Sequence, residues 1–446
     1  MTIQKLFIAN RGEIALRIIR TARRLGINTV LGVSEADLTS LPAQEADEVV
    51  LLGPAPSAQS YLAVDKVVEA ARSSGADAVH PGYGFLSENA TFARKIIDSG
   101  MKFVGPLPEH LDAMGDKLKA RSVAIDAGLP VVPGGEAETA KEAAEVAKET
   151  GYPLLIKAVS GGGGRGMKRV DDPSQLASQI DMAMAEAEAA FGDPRIYVER
   201  YIGRGRHVEV QVLGSNGKAV HLGTRDCSIQ RRFQKLVEEA PAPNIPDDKR
   251  AAIEQAAVKL TRHLKYQGAG TVEFLVDAET YDFYFLEMNA RIQVEHPVTE
   301  KITGLDLIEQ QILIAADAPF VLLQENIEFD GHAIEVRINA EDPDADFRPS
   351  PGKVTKAAWP AGAGIRVDSH IQSGGVVPPN YDSLMGKLIV HAPSREEAVA
   401  RTAQALSTLS IEGVVTTAPL HARIMADKRF KSANIDTRFF EDLDNG

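Results

Sequence analysis

The chain is 446 residues long, 44% apolar and 25% charged, proportions that exclude a disordered polypeptide and a membrane-embedded bundle. At roughly 100 to 200 residues per domain, this length accommodates two to four domains with sizeable cores. A formal net charge of −13 repels nucleic-acid phosphates at long range, and the lone cysteine, Cys227, can form neither an intrachain disulfide nor a multi-cysteine zinc site.

The N-terminal run Lys5-Leu6-Phe7-Ile8-Ala9 is too short for a signal core or a membrane span, so a cytoplasmic protein without membrane or nucleic-acid partners is expected. Leu6 to Ala9 reads as a buried strand, and Ile14, Ala15, Ile18, Ile19, Ala22 and Leu25 follow at helical spacing until Gly26. Further short strands at 29–33, 48–52, 76–80 and 102–104 alternate with helical stretches, which predicts a parallel sheet with functional turns at its strand ends. A second region starts near Asp116-Lys117, with a helix over 138–149 and an apolar strand over 153–158 that carries Lys157. The alternation Val208-Glu209-Val210-Gln211-Val212 predicts an antiparallel sheet, covered by a helix over 248–264. After Phe329 a new set of strand patterns begins, with Pro349, Pro351, Pro378 and Pro379 in turns and a late helix over 395–406.

Ser160-Gly161-Gly162-Gly163-Gly164-Arg165-Gly166-Met167-Lys168 matches the dinucleotide spacing at Gly161, Gly163 and Gly166, but no apolar-periodic helix follows it. A mononucleotide P-loop fails as well, because Met167 stands where lysine is required. What remains is a glycine hairpin between two strands, whose bare amides can close over a triphosphate as a movable lid.

Two strand-like runs, Gly270 to Val276 and Phe283 to Asn289, form a hairpin that sets Glu273 opposite Glu287 if the turn centres on Thr280. Facing carboxylates repel and raise each other's pKa unless a cation sits between them. Asn289 adds an amide oxygen on the same face, and an all-oxygen set suits magnesium or manganese. In Arg291-Ile292-Gln293-Val294-Glu295-His296-Pro297, extended geometry would put Arg291, Gln293 and Glu295 on one face. An arginine fork can hold a small oxyanion there while the carboxylate removes its proton.

Together these segments closely resemble biotin carboxylase, the ATP-grasp enzyme that carboxylates biotin within acyl-CoA and related carboxylases. The resemblance rests on Ile8 to Ala15, His80 to Asn89, the glycine lid, Arg225-Asp226-Cys227-Ser228-Ile229-Gln230-Arg231-Arg232, Glu287 to Pro297 and Arg337 to Pro343, in that order. It implies an α/β ATP-grasp fold: an N-terminal Rossmann-like parallel-sheet domain (1–114), an ATP-grasp domain (115–325) with its glycine-rich lid subdomain at about 131–203, and a C-terminal α+β domain (326–446).

The resemblance further implies that Lys117, Lys157, His207, Gln230, Phe233 and Leu275 contact ATP, that Glu199, Arg200, Tyr201 and Ile202 line the adenine pocket, and that Gly163, Gly164 and Met167 close over the nucleotide. Glu273, Glu287 and Asn289 would hold the metals, and Lys235, Arg291, Gln293, Val294 and Glu295 the bicarbonate, with Glu295 as base. Tyr83 and Arg337 would meet biotin, Arg337 stabilising its enolate-like oxygen. Phe233 stands where the bacterial family commonly has histidine, and Arg200 where lysine is frequent. No Ala-Met-Lys-Met type attachment segment occurs, so biotin is expected in trans on a carrier protein, with a carboxyltransferase subunit and a second copy of the chain as further partners. Cys227 has no adjacent base motif and reads as a packed thiol. A different ATP-grasp ligase would have no use for the 291–295 strip beside Lys235 and Arg337, and a regulatory nucleotide sensor would need none of Arg291, Glu295 and Arg337.

Overall fold

The computed structural model describes residues 3–159, 167–232 and 234–440. Gly163, Gly164 and Phe233 lie outside the described residues. Strands β1 (Lys5–Ile8), β2 (Asn28–Ser34), β3 (Glu48–Gly53), β4 (Ala78–His80) and β5 (Lys102–Phe103) form a parallel sheet in the order β3-β2-β1-β4-β5. β1 feeds helix α1 (Gly12–Arg24), which buries Ile14, Ala15, Ile18, Ile19 and Ala22, the residues at helical spacing in the sequence. From β1 the chain moves outward to β2 on one side and later returns to β4 on the other. The loops after β1 and β4 therefore diverge and open a crevice at the carboxyl ends of the strands.

Asn10 Nδ2 ties these two loops together by donating to the carbonyls of Pro81 and Tyr83, both at 2.7 Å. Gly82 makes that approach possible: its φ is +62°, and a Cβ there would lie 2.8 Å from Asn10 Nδ2.

Strands β6 (Gly134–Ala137), β7 (Leu154–Ala158), β8 (Lys168–Val170) and β9 (Ile196–Arg200) form a small antiparallel sheet in the order β6-β9-β7-β8. Helices Ala140–Thr150 and Pro173–Phe191 pack on it, around a separate core that includes Ala143, Ala147, Leu154, Ile156, Ile180, Ile196 and Val198.

The central sheet has eight strands. β10 (Gly205–Ser215), β11 (Lys218–Arg231), β12 (Gln234–Ala240), β13 (Gly268–Asp277), β14 (Phe283–Asn289) and β15 (His332–Asn339) run in the order β14-β13-β10-β11-β12-β15, followed by Leu384–Ala392 and Ile365–Ser369. The long strands after Phe329 thus extend this sheet, since Val237 pairs with Val336 and Glu238 with Glu335. Pro349, expected in a turn, belongs instead to the two-residue strand Arg348–Pro349, on a ladder short enough to tolerate a missing N–H.

The antiparallel pairing expected from Val208 to Val212 is present, but its polar members do not face water. Glu209 and Gln211 are fully buried against Arg225, itself fully buried on β11. Arg225 donates to Glu209 Oε1 at 2.5 Å, Gln211 Oε1 at 2.7 Å, Thr299 Oγ1 at 2.9 Å and Thr271 Oγ1 at 3.1 Å. A guanidinium out of water is tolerable only when its N–H groups are satisfied in this way. The opposite, apolar face of β10 and β11 is covered by helix Asp247–His263, which buries Ile253, Ala257 and Leu260.

Candidate active site

One large cleft, of about 1650 Å³, opens where the parallel sheet, the small lid sheet and the central sheet meet. Every site residue proposed from the sequence that lies among the described residues lines it. Lys157 and Glu199 to Ile202 come from the lid sheet, and Tyr83 from the loop after β4. Lys117 caps the cleft from the start of helix Lys117–Asp126, whose N-cap Asp116 accepts from the amides of Leu118 and Lys119. Gln230, Lys235, Glu273, Leu275, Glu287, Asn289 and Arg337 come from the central sheet, and Met167 reaches in from beside β8.

Glu273 and Glu287 are direct cross-strand partners. The register slips between this pair and the turn, so that Phe274 faces Phe285 and Leu286 is left over, 43% exposed at the cleft. The two carboxylates have different surroundings. Glu273 lies 2.8 Å from His207 Nε2 as an ion pair and accepts from Lys235 Nζ, Asn289 Nδ2 and Gln293 Nε2, each at 3.0 Å. Burial by itself would push its pKa up, but Lys235 and His207 outweigh that and hold it well below the usual carboxylate range. Among the described residues none donates a hydrogen bond to Glu287, and burial followed by the charge of Glu273 raises its pKa. An under-compensated carboxylate beside an amide oxygen is what a hard divalent cation would relieve, so this donor set fits magnesium.

His207, Glu209 and Glu273 also converge closely enough to hold an ion, but Lys235 already occupies the space between Glu209 and Glu273. Its Nζ lies 2.7 Å from Glu209, 3.0 Å from Glu273, 3.1 Å from Gln293 Oε1 and 2.6 Å from Glu295. Three ammonium hydrogens face four acceptors, so at least one hydrogen is shared between two of them. Burial lowers the Lys235 pKa, yet the surrounding carboxylates raise it well above its ordinary value, and the group stays charged.

The segment from Arg291 to Glu295 is not extended as expected. It is an irregular turn that enters helix His296–Thr303 with Pro297 in the first turn, a position where the missing N–H costs nothing. The strict alternation is lost: Ile292 is buried in the core with Ile8 and Leu307, while Val294 faces the cleft beside Gln293 and Glu295. The three polar side chains still converge. Arg291 donates to Asn289 Oδ1 at 2.7 Å and to Glu88 Oε2 at 2.9 Å. Glu295, 1% exposed, takes Lys235 on Oε1 at 2.6 Å and Arg337 on Oε2 at 3.0 Å. Burial alone would raise its pKa, but Lys235 and then Arg337 hold it far below the usual carboxylate range. Arg337 also donates through Nε to Glu238 Oε1 at 2.6 Å, and burial pushes Glu238 up to about 7.

On the side of the small sheet Lys157 is ion-paired with Glu199, Arg200 donates to the Thr150 carbonyl at 3.3 Å, and the guanidinium of Arg169 lies over Tyr201 at 4.5 Å. His207, expected at the nucleotide, lines the cleft with its Nε2 2.8 Å from Glu273, whose charge with that of Glu209 raises its pKa against the effect of burial. Glu209, Glu238, Glu88 and Glu13 were not identified from the sequence as site residues. Glu88 lies inside the His80–Asn89 motif, whereas Glu209 was visible only as a polar member of the Val208–Val212 alternation.

A parallel-sheet domain, an antiparallel lid and a central sheet bearing paired carboxylates over a single cleft define an ATP-grasp ligase. Residues 2–111 match the family described as biotin carboxylase, N-terminal domain; residues 116–322 match the carbamoyl-phosphate synthase L chain, ATP binding domain; residues 335–442 match the biotin carboxylase C-terminal domain. The chain is 50% identical over 446 residues to the biotin carboxylase of a Nostoc species, covering 99% of this chain and all of that one. It is 49% identical to biotin carboxylase 1 of Bacillus subtilis, with 99% of each chain covered. A solved biotin carboxylase from Campylobacter jejuni, in complex with a βγ-ATP ligand, superposes with a TM-score of 0.91 at 45% identity over 99% of both chains. The biotin carboxylase domain of a thermophilic 2-oxoglutarate carboxylase, bound to bicarbonate, gives 0.95 at 44% identity, covering 100% of this chain and 99% of that one. The chain belongs to the biotin carboxylase family, and its reaction class is that of an ATP-dependent ligase.

Proposed function

We propose that this cleft carboxylates biotin presented on a carrier protein, with ATP and bicarbonate as co-substrates, and that the division of labour among its residues is the one read from the sequence. The supporting observation is Glu295, buried and held between Lys235 and Arg337 beside the paired carboxylates Glu273 and Glu287. In this arrangement Glu295 is a poor base, because two cations stabilise its charge. A bicarbonate anion binding to Lys235, Arg291 and Gln293 draws on the same cations, and the Glu295 pKa rises as they are shared. Glu295 then takes the bicarbonate proton as the oxygen attacks the γ-phosphorus. The bond to the β–γ bridging oxygen breaks, releasing ADP and leaving carboxyphosphate.

Lys117, Lys157, Gln230, Leu275 and the 199–202 segment hold and orient the nucleotide; Glu273, Glu287 and Asn289 would hold magnesium or manganese, which screens the charge of the phosphates. Carboxyphosphate decomposes within the closed cleft to carbon dioxide and phosphate. The phosphate removes the ureido proton of biotin, and Arg337 stabilises the enolate-like oxygen that develops, with Tyr83 beside it.

The same reading assigns 1–114, 115–325 and 326–446 as the three domains, with the lid at about 131–203. Its partners are a biotinyl carrier, a carboxyltransferase and a second copy of the chain. A relative from Hydrogenobacter thermophilus, 45% identical over 100% of this chain and 98% of that one, is described as a dimer with MgADP and bicarbonate. No helix among the described residues is long and apolar enough to cross a membrane, and a cytoplasmic location is the setting that fits.

ADP release by the purified chain with magnesium, ATP and free biotin, with and without bicarbonate, tests the reading. Bicarbonate-dependent, biotin-stimulated turnover is expected, and nucleotide binding without such cleavage would sink the proposal and favour a nucleotide sensor.

A further inference from the structure

Beneath the cleft lies a buried ammonium that the reaction as described does not use. Lys387 is directly opposite Arg337 across the β15 ladder, so the two cations share one face of the central sheet. Its side chain is fully buried, and although burial lowers its pKa, Glu13, Glu335 and Asp368 together raise it, so it is charged. Its Nζ makes two contacts that an ordinary buried ion pair would not combine. It donates to the backbone carbonyl of Val294 at 2.7 Å, one residue before Glu295, and it lies 3.0 Å from Glu13 Oε1. That same Glu13 oxygen accepts the Tyr83 hydroxyl at 2.5 Å, while Glu13 Oε2 has no hydrogen-bond partner. Three chain segments far apart in sequence meet at this nitrogen: the start of α1, the turn that carries Glu295, and the strand Leu384–Ala392 that flanks Arg337.

We infer that Lys387 is a positioning residue that fixes the Glu295 turn and, through Glu13, the Tyr83 hydroxyl, so that one ammonium sets the geometry of both the bicarbonate end and the biotin end of the cleft. The inference rests on the functional reading above for which end is which. Lys387 touches neither reactant; it acts through the Val294 carbonyl and through Glu13. Removing it leaves that carbonyl without its charged donor, a loss that loosens the Glu295 turn while the nucleotide contacts on the lid sheet are untouched.

The test compares wild type, Glu13→Gln and the charge-neutral pair Glu13→Gln/Lys387→Met, which avoids stranding the Glu13 carboxylate. Steady-state ADP release is measured with ATP, bicarbonate and free biotin varied in turn, alongside a thermal melt. Glu13→Gln is expected to raise KM for biotin while KM for ATP stays put, because Tyr83 keeps an acceptor but loses a charged one. The pair is expected to raise KM for bicarbonate as well, by about tenfold, the ratio that one charge-assisted hydrogen bond supports. A uniform fall in kcat at unchanged KM values, or equal shifts in all three, overturns the inference in favour of a merely structural ion pair. Should the pair fail to fold, Glu13→Gln decides alone: an unmoved biotin KM refutes the link. Absence of bicarbonate-dependent turnover in the wild type would instead refute the functional reading, and the inference with it.

Discussion

Replacing Glu295 with glutamine probes the chemistry with little change of shape. The amide oxygen can still accept from Lys235, which lies 2.6 Å from Oε1 in the native site. The amide nitrogen, however, faces the Arg337 guanidinium, which donates at 3.0 Å to Oε2, so two donors meet and one of them is left unsatisfied. An unsatisfied buried donor costs about 1–3 kcal/mol, so the melting temperature should fall modestly without loss of the fold. Arg337 keeps its bond to Glu238, which limits the damage. The kinetic loss should be much larger, because the two carboxylates that share Lys235 with it are already engaged. Glu209 is fully buried and paired with Arg225, and Glu273 is held by His207 and Lys235. Removing a positioned general base lowers turnover by roughly 10²–10⁴. Bicarbonate-dependent ADP release should fall by that ratio in Glu295→Gln, with nucleotide binding retained in a fluorescence titration. Turnover that remained bicarbonate-dependent near the wild-type rate would refute Glu295 as the base.

Glu287→Gln should raise the magnesium concentration needed for half-maximal ADP release by roughly tenfold or more, and a chelator should abolish turnover in the wild type. Glu239, buried, would have its pKa raised by burial, but His332 and Arg395 bring it down to about 2. Its contribution to stability is therefore present above the ordinary carboxylate range and is lost as pH falls towards 2. Glu239→Gln should cost roughly 3–5 kcal/mol at neutral pH in a denaturant titration, with the difference from wild type shrinking on acidification. Cys227 is fully buried with its thiol pKa pushed up by burial, so a thiol reagent should label it only in denaturant; rapid labelling of the native chain would contradict the packing.

The facing of Glu273 and Glu287 was legible only as far as the hairpin itself: the turn pairs Val276 with Phe283, a register that alone would set Glu273 against Leu286, and the bulge at Leu286, between the turn and the pair, brings Glu287 opposite Glu273. The parallel sheet was legible because its short apolar runs are punctuated by helical periodicity. The 291–295 strip was misjudged in shape though not in content. Period-two polarity survives in a turn when a proline two residues further on starts a helix, and sequence polarity alone does not separate the two. Glu209 was not singled out because its partner, Arg225, lies on the next strand, and nothing local announces a buried guanidinium. Lys387 escaped entirely: Glu13 and Val294 are 374 and 93 positions away from it in the chain, and no local pattern encodes contacts of that range.

The small lid sheet differs from the central sheet in how its strands are gathered. Its four strands come from the single stretch Gly134–Arg200 and enclose their own core, whereas the central sheet collects strands from Gly205 to Ala392. A unit of such local contacts can open and reclose without breaking the ladders that carry Lys235, Glu273 and Arg337. Amide hydrogens of β6, β7, β8, β9 and the two helices packed on them should then exchange as one cooperative block, at a lower opening free energy than those of β10 to β13. The small sheet would loosen and tighten many times in the lifetime of a folded molecule, while the central sheet beneath the cleft stays assembled.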